Sequence, residues 1–157
     1  MITMALTGHR PERLKYNKYL ESPEWRPIID WLKQQIITIG VTDAICGMAE
    51  GCDCVYALAV IELKNEGYDI KLHCVLPCDN YQCGYYVYDK IKSYADTWTS
   101  LSKDYYKGCD NARDYLANPI TSTPDIRYVG EGESFYVEVC SDFTRFMSRA
   151  NRYDIRR

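Results

Sequence analysis

Three short, almost wholly apolar runs occupy the first half of the chain, and two stretches with helical spacing separate them. The runs are Ile2–Leu6, Thr42–Met48 and Asp69–Leu76, and the helical stretches are Glu24–Ile39 and Gly51 to about Asn65. Strands that are apolar along their whole length are typical of parallel sheets covered on both faces, in which right-handed helical crossovers join the strands. The order strand, helix, strand, helix, strand therefore predicts a Rossmann-like three-layer α/β domain with a mainly parallel sheet.

The second half of the chain carries weaker signals. Helical spacing returns at Tyr85–Asp96, and Thr97–Ser100 is predicted to be a short strand. Two β-prone runs, Ile126–Val129 and Phe135–Val139, flank a turn that contains glycine, and this pattern predicts a hairpin. A C-terminal helix is predicted from about Ser141, whose hydroxyl is a suitable cap.

Composition narrows the class of protein and its partners. A chain of 157 residues is the length of one domain, in which residues 109–140 are a candidate insertion. The net charge of −3 provides no overall field that would attract a nucleic-acid backbone, so nucleic acid is not an expected partner. No apolar run is long enough to span a bilayer and the N-terminus has no signal-peptide pattern, so no membrane partner is expected. We therefore expect a cytoplasmic protein, in the host cytoplasm if a phage encodes it.

Eight cysteines raise the questions of disulfides and of bound metal. The sequence shows no secretion signal, so reduced thiols are expected. Two clusters of candidate ligands are Cys46, Cys52 and Cys54, and His73, Cys74, Cys78 and Cys83. Neither cluster has the paired Cys-x-x-Cys spacing of a zinc ribbon or the Cys/His pattern of a finger. We therefore expect no metal and no cofactor, and interpret most of these cysteines as small core residues.

The segment Thr7–Pro11 is the first candidate site, because it directly follows the first predicted strand. Ligands of open α/β sheets bind beyond the carboxyl ends of the strands. Gly8 permits a sharp turn and close approach of a ligand, while Arg10 can offer a planar fork to a phosphate. His9 is interpreted as a base, a phosphate donor or a solvent-facing loop residue. The alternative is an ordinary turn between a strand and a helix, with polar groups at the surface.

The segment Gly47–Asp53 is the second candidate site, at the junction of the second strand and the second helix. Small residues there leave the N–H groups of the first helical turn open to an anion, which the helix dipole also favours. Glu50 and Asp53 would repel a phosphate, so either is assigned to a ribose hydroxyl. The alternative for Asp53 is a helix-capping role. This segment is neither a Walker loop nor a strict G-x-G-x-x-G fingerprint.

Together, ALTGHRPERL and GMAEGCDCVYALAV resemble the SLOG superfamily of Rossmann-like domains. The resemblance is to its bacterial and phage branch, whose members open with a strand ending in Thr-Gly-His/Tyr-Arg/Lys-Pro and continue with Gly-x-Ala-x-Gly-x-Asp. It covers about residues 2–105. It implies a nucleotide or nucleotide-derived ligand between the two loops, and the implied ligand-binding residues are Thr7, Gly8, Arg10, Gly47, Glu50, Gly51 and Asp53.

The C-terminal part departs from that branch. Its members have an Arg-Asn pair followed by a strand and a Gly-Gly-Thr loop that completes the phosphate site. Arg149 and Asn151 are the candidates for the pair, and no Gly-Gly-Thr occurs in this sequence. The chain is then a shortened member, or a partner subunit completes the site, or turnover has been lost. The phosphoribohydrolase activity of the LOG enzymes is therefore not carried over.

Three functions remain open from the sequence. The first is binding of a nucleotide-like signalling ligand, for sensing or sequestration, at the loops that follow the strands. The second is a nucleotide hydrolase acting on an N-glycosidic or phosphate bond, with Glu50 or Asp53 as the catalytic residue. The third is a protein-interaction module that uses the tyrosine-rich segment Tyr81–Tyr88, the pair Tyr105–Tyr106 and the arginine-rich stretch Arg145–Arg157 as its contact surface.

Two further expectations bear on catalysis and assembly. With only His9 and His73 in the chain, the sequence shows no Ser/His/Asp or Cys/His triad, so nucleophilic catalysis is not predicted. A sheet that lacks its last strand leaves an unpaired edge, which a second copy of the chain would cover. A homo-oligomer is therefore a candidate state.

Overall fold

In the computed structural model, four parallel strands lie side by side and helices connect them. The structure describes residues 2–6, 11, 16–81, 86–100 and 102–104, and the backbone of residues 7, 123–129 and 134–140. The strands are β1 (Thr3–Thr7), β2 (Asp43–Cys46), β3 (Lys71–Leu76) and β4 (Thr97–Ser100). The helices are α1 (Arg26–Ile39), α2 (Cys52–Asn65) and α3 (Tyr86–Tyr94), and a 3-10 turn at Pro23–Trp25 leads into α1.

Two further strands extend the sheet on the far side of β1. They are β5 (Thr123–Val129) and β6 (Ser134–Cys140), which form an antiparallel hairpin. The order across the sheet is β4-β3-β2-β1-β6-β5, and β6 runs antiparallel to β1. The predicted α/β fold of Rossmann-like type with a mainly parallel sheet is confirmed, as is the C-terminal hairpin. Because β6 pairs with β1, the outer strands of this sheet are β4 and β5.

The helices α1, α2 and α3 pack on one face of the sheet. Alternate residues of β1 to β3 share a single buried core with apolar side chains of all three helices; on the strands these residues are Met4, Leu6, Ala44, Cys46, Leu72, Cys74 and Leu76. The chain moves from β1 to β4 in one direction across the sheet, and right-handed crossovers then place the connecting helices on the same side. None of these three helices lies on the opposite face, and the helix predicted from Ser141 falls outside the described residues.

The three helices differ in how they are buried. α2 is buried on nearly all sides, because α1 and α3 flank it and the sheet lies beneath it. α1 has one apolar stripe and ends as predicted at Gly40, which adopts a left-handed φ of 79° and donates to the carbonyls of Ile36 and Ile37. None of the described helices is long and apolar enough to cross a membrane.

Candidate phosphate-binding loop at the strand ends

The structure brings the starts of the two predicted loops to the same edge of the sheet. β1 and β2 are adjacent and parallel, with Ala5 opposite Ile45, so their carboxyl ends emerge side by side. Thr7 is the last residue of β1, and Gly47 follows β2 directly. Thr7, Gly47, Glu50, Gly51 and Asp53 are the predicted site residues within the described part of the chain. The others, Gly8, His9, Arg10, Arg149 and Asn151, fall outside it.

The segment Gly47–Asp53 has an unusual backbone. Met48 is fully buried and adopts a left-handed φ of 61°, which is rare for a residue with a side chain. This conformation ends β2 at Cys46, two residues earlier than the sequence predicts. Gly51 has φ 95° and ψ −120°, a combination that only glycine adopts without strain. Backbone of this kind persists only where the surrounding structure holds it in place, and it is frequent at ligand sites.

The side chains of Cys46 and Tyr88 form hydrogen bonds with the backbone of Gly47–Asp53. The Cys46 thiol donates to the carbonyl of Asp53 at 3.1 Å and accepts from the N–H of Met48 at 3.4 Å. The hydroxyl of Tyr88, on α3, donates to the carbonyl of Met48. Burial raises the pKa of the Tyr88 hydroxyl well above its ordinary value, so it remains a protonated donor. The loop is therefore fixed by β2 on one side and by α3 on the other.

The two acidic residues of the segment have different surroundings. One Asp53 carboxylate oxygen accepts from the N–H of Ala49 at 3.2 Å, so Asp53 closes the loop on itself. Ala49 lies two residues before the N-cap Gly51, so this contact is a bond within the loop and not a helix cap. Glu50 is half-buried, and among the described residues no hydrogen bond or ion pair involves its side chain. Glu50 is thus the carboxylate of this segment that is better placed to contact a ligand.

The helix α2 begins directly after a glycine, which has no side chain with which to cap the first turn. Gly51 is the N-cap residue, and no side-chain capping bond occurs at this helix end. The N–H of Val55 bonds the Gly51 carbonyl at 2.9 Å, which closes the first turn of α2. The positive end of a 14-residue helix is a favourable place for an anion.

Replacing Tyr88 with Phe should lower the free energy of unfolding by about 1 to 2 kcal/mol, because the buried Met48 carbonyl then loses its donor. The substitution should also speed amide hydrogen exchange in Gly47–Asp53, because the hydrogen bond from Tyr88 on α3 to this segment is lost. Urea unfolding and exchange followed by mass spectrometry measure the two effects. Tyr68→Phe is the matched control at an exposed tyrosine and should change neither. Equal effects for the two variants would show that the contact with Met48 does not hold the loop.

The described cysteines do not form a metal site. The described cysteines are buried and form no disulfide; they are Cys46, Cys52, Cys54, Cys74 and Cys78. Burial raises the pKa of the Cys46 and Cys54 thiols. No group of three or more His, Cys, Asp or Glu side chains within the described residues is arranged to hold a metal ion. His73 and Cys74 are adjacent in sequence, but their side chains lie on opposite faces of β3. These thiols act as small core residues.

Sequence reasoning missed a row of polar side chains across the sheet. His73 Nε2 lies 2.9 Å from Asp43 Oδ1, and His73 Nδ1 lies 2.9 Å from Thr97 Oγ1. The three residues come from β2, β3 and β4 and lie on the face opposite the helices. The sequence search for a Ser/His/Asp or Cys/His triad does not cover this row, which contains a threonine and is created by pairing of strands whose residues are 24 to 30 positions apart. The available signal was strand alternation, which places all three residues away from the core.

Lowering the pH should reduce the free energy of unfolding, in part because the Asp43 carboxylate becomes protonated. The hydrogen bond from His73 holds the pKa of Asp43 below its ordinary value, although partial burial acts in the opposite direction. A lowered folded-state pKa contributes stability that is present above the unfolded value of about 4 and is lost as the pH falls through the folded value. Wild type should therefore lose more unfolding free energy than Asp43→Asn between about pH 5 and pH 3.

Urea unfolding at a series of pH values measures this difference. Asp69→Asn is the control, because Asp69 is exposed and makes no ion pair with the described residues. Its pH dependence should match that of wild type. If the Asp43 variant also matches wild type, the contact between His73 and Asp43 contributes nothing to stability.

A cleft of about 310 Å³ lies on the helical layer rather than at the strand ends. Its apolar floor consists of Leu20, Ile29 and Leu58. Its rim carries Glu21, Ser22, Arg26, Glu62 and Lys90. Arg26 is neutralised by Glu62 and Asp30, with contacts of 2.7 and 2.6 Å. This cleft is distinct from the segment Gly47–Asp53, so tests of binding must separate the two places.

Comparison of the chain with protein-family models and with curated proteins finds no match. The class of the protein is defined by its fold alone. It is a Rossmann-like α/β domain with a strained loop at the carboxyl end of β2.

Proposed function

We propose that the protein binds a nucleotide or nucleotide-derived signalling ligand, whose phosphate lies at the N-terminus of α2. The observation that carries the proposal is Gly51, an N-cap with φ 95° that leaves the first helical turn without a capping side chain. Glycine costs conformational entropy on folding, and at this point it lets the backbone approach a ligand closely. A bound phosphate is the group that this arrangement favours.

The rest of the ligand is assigned from the side chains around the loop. Glu50 accepts from a ribose hydroxyl, because its carboxylate is half-buried and makes no hydrogen bond within the described part of the chain. Asp53 orients the loop through Ala49. Arg10 supplies the positive charge that the phosphate requires, since it follows β1, which is adjacent to β2. Membership of the SLOG superfamily is part of the same proposal, as is a cytoplasmic location.

Thermal unfolding against a panel of ligands tests the proposal. The panel contains nucleoside monophosphates, cyclic nucleotides, ADP-ribose and inorganic phosphate. A ligand at a hundred times its dissociation constant stabilises the folded state by about 2.7 kcal/mol, which appears as a higher midpoint. Arg10→Ala should abolish the response. Lys90→Ala, in the separate cleft of the helical layer, should retain it.

Two results would contradict the proposal. One is that no compound in the panel raises the midpoint. The other is that Lys90→Ala abolishes a response that Arg10→Ala retains. If a compound binds, analysis of the mixture for product then decides between sensing and hydrolysis. Under hydrolysis Glu50→Gln binds the compound without converting it.

A second candidate function is protein interaction, and one observation favours it. Tyr19 and Tyr86 stack with ring centroids 5.1 Å apart, although they are 50% and 43% exposed. Their hydroxyls are engaged, one donating to Glu21 and the other accepting from the N–H of Leu20, so the rings are held in place. Rigid, exposed tyrosines are common anchors in protein interfaces. Tyr86 belongs to the tyrosine-rich segment that the sequence indicates.

A further inference from the structure

The row Asp43–His73–Thr97 has the arrangement of a nucleophile, a base and an orienting group. A carboxylate only accepts hydrogen bonds, so the hydrogen of the neutral imidazole lies on Nε2 and is donated to Asp43. Nδ1 then accepts from the Thr97 hydroxyl at 2.9 Å. The base is thus oriented by a third group and lies within hydrogen-bond distance of a hydroxyl, which is the geometry that activates such a nucleophile.

Neighbouring groups hold the Asp43 carboxylate in place and favour its ionised form. The other oxygen of Asp43 accepts from the Thr42 hydroxyl at 2.8 Å, which fixes the carboxylate. Lys71 is the residue opposite Asp43 on β3, and its positive charge favours the ionised carboxylate. The side chains of His73 and Asp43 are 26% and 19% exposed, so both are partly accessible to solvent.

Thr97 is the accessible end of the row. It is exposed and lies on β4, an outer strand of the sheet. The cleft of the helical layer does not include it. A hydroxyl on an open strand accepts a small, unhindered group more readily than a bulky one, because the γ-methyl group of Thr97 crowds its own oxygen.

We propose that Thr97 is a nucleophilic hydroxyl that takes a small acyl group from an activated ester, with His73 as its general base. Thr97 Oγ1 forms a bond to the carbonyl carbon, and the bond from that carbon to the leaving oxygen breaks. The hydroxyl proton passes to Nδ1 of His73 and from there to the departing oxygen. Nothing is oxidised or reduced, and the product is an ester on Thr97. This site lies away from the proposed phosphate loop and does not depend on it.

The probe is p-nitrophenyl acetate, incubated with the full chain, followed by peptide mass spectrometry to locate added acetyl groups. Thr99 is the internal control, because it is an exposed threonine on the same face of β4 but has no histidine partner in the register. Thr97 should be acetylated on the order of 100-fold faster than Thr99, as expected of general-base assistance. Release of the acetyl group by hydroxylamine shows that it is an ester.

Two variants establish the roles. His73→Asn should reduce acetylation of Thr97 on the order of 100-fold, whereas Thr97→Ser should retain it because serine keeps the hydroxyl. The midpoint of thermal unfolding shows that each variant is folded. Where His73→Asn does not fold, the comparison of Thr97 with Thr99 in the wild-type chain decides, because only Thr97 has a histidine partner in the register. Equal rates at Thr97 and Thr99 would overturn the proposal, as would a folded His73 variant that reacts like wild type.

Discussion

Replacing Trp25 with Ala should lower the free energy of unfolding by about 3 to 5 kcal/mol, the largest effect expected of any single change in the described core. The Trp25 side chain is completely buried and packs edge-on against Tyr16, with ring centroids 4.9 Å apart. Its indole N–H donates to the carbonyl of Asn17 at 2.7 Å. The substitution therefore removes a large apolar volume and also leaves a carbonyl without its donor.

Urea unfolding followed by circular dichroism measures this loss. Trp25→Phe is the matched control, because it keeps most of the ring volume and loses mainly the bond to Asn17. Its cost should be about 1 to 2 kcal/mol. A loss below about 1 kcal/mol for Trp25→Ala would contradict the packing, since deletion of a fully buried tryptophan leaves a cavity. The effect matters for the site, because Trp25 anchors the segment that leads from the first loop into α1.

Replacing Gly51 with Ala should remove ligand binding and lower the free energy of unfolding by about 2 kcal/mol. At φ 95° and ψ −120° a Cβ atom strains the backbone, so the chain must either accept the strain or rebuild the start of α2. Either outcome moves the N–H groups that are proposed to hold the phosphate. The stability loss is measured by urea unfolding, and the loss of binding by the missing thermal response to the ligand.

Gly40→Ala is the matched control for this substitution. Gly40 also has a positive φ, at 79°, but it ends α1 and a Cβ atom there meets nothing within 4 Å. Its cost should be about 1 kcal/mol, that of a left-handed residue with a side chain. Its response to ligand should be unchanged. If Gly51→Ala still binds ligand as wild type does, the phosphate does not lie at the N-terminus of α2.

Regular structure was predictable where one local signal dominated. α1 was marked by its apolar spacing and by Gly40, and β4 was found at Thr97–Ser100 as predicted. The strand before the second candidate site was predicted too long, because a run of apolar residues does not reveal that Met48 turns left-handed. The Met48 carbonyl accepts a hydrogen bond from the Tyr88 hydroxyl, which belongs to a helix 40 residues further along the chain.

Contacts between distant strands were not predictable in the same way. Asp43, His73 and Thr97 meet only because β2, β3 and β4 pair in a particular register, and no local pattern in the sequence encodes that register. Asp53 shows the same limit at shorter range. Its carboxylate was assigned to a ribose hydroxyl or a cap, and it bonds the N–H of Ala49 within its own loop. Both cases show that polar side chains are assigned reliably only once the backbone around them is known.

Backbone amide chemical shifts, followed by NMR as ligand is added, test directly whether phosphate binds at the N-terminus of α2. Inorganic phosphate is added first, and then the nucleotide that raises the thermal midpoint most. We expect the largest shifts at the amides of Cys52, Asp53 and Cys54, which form the first turn of α2. Gly51→Ala should lose these shifts. Shifts centred instead on Leu20 and Lys90, in the cleft of the helical layer, would contradict a phosphate site at the N-terminus of α2, as would the absence of any shift.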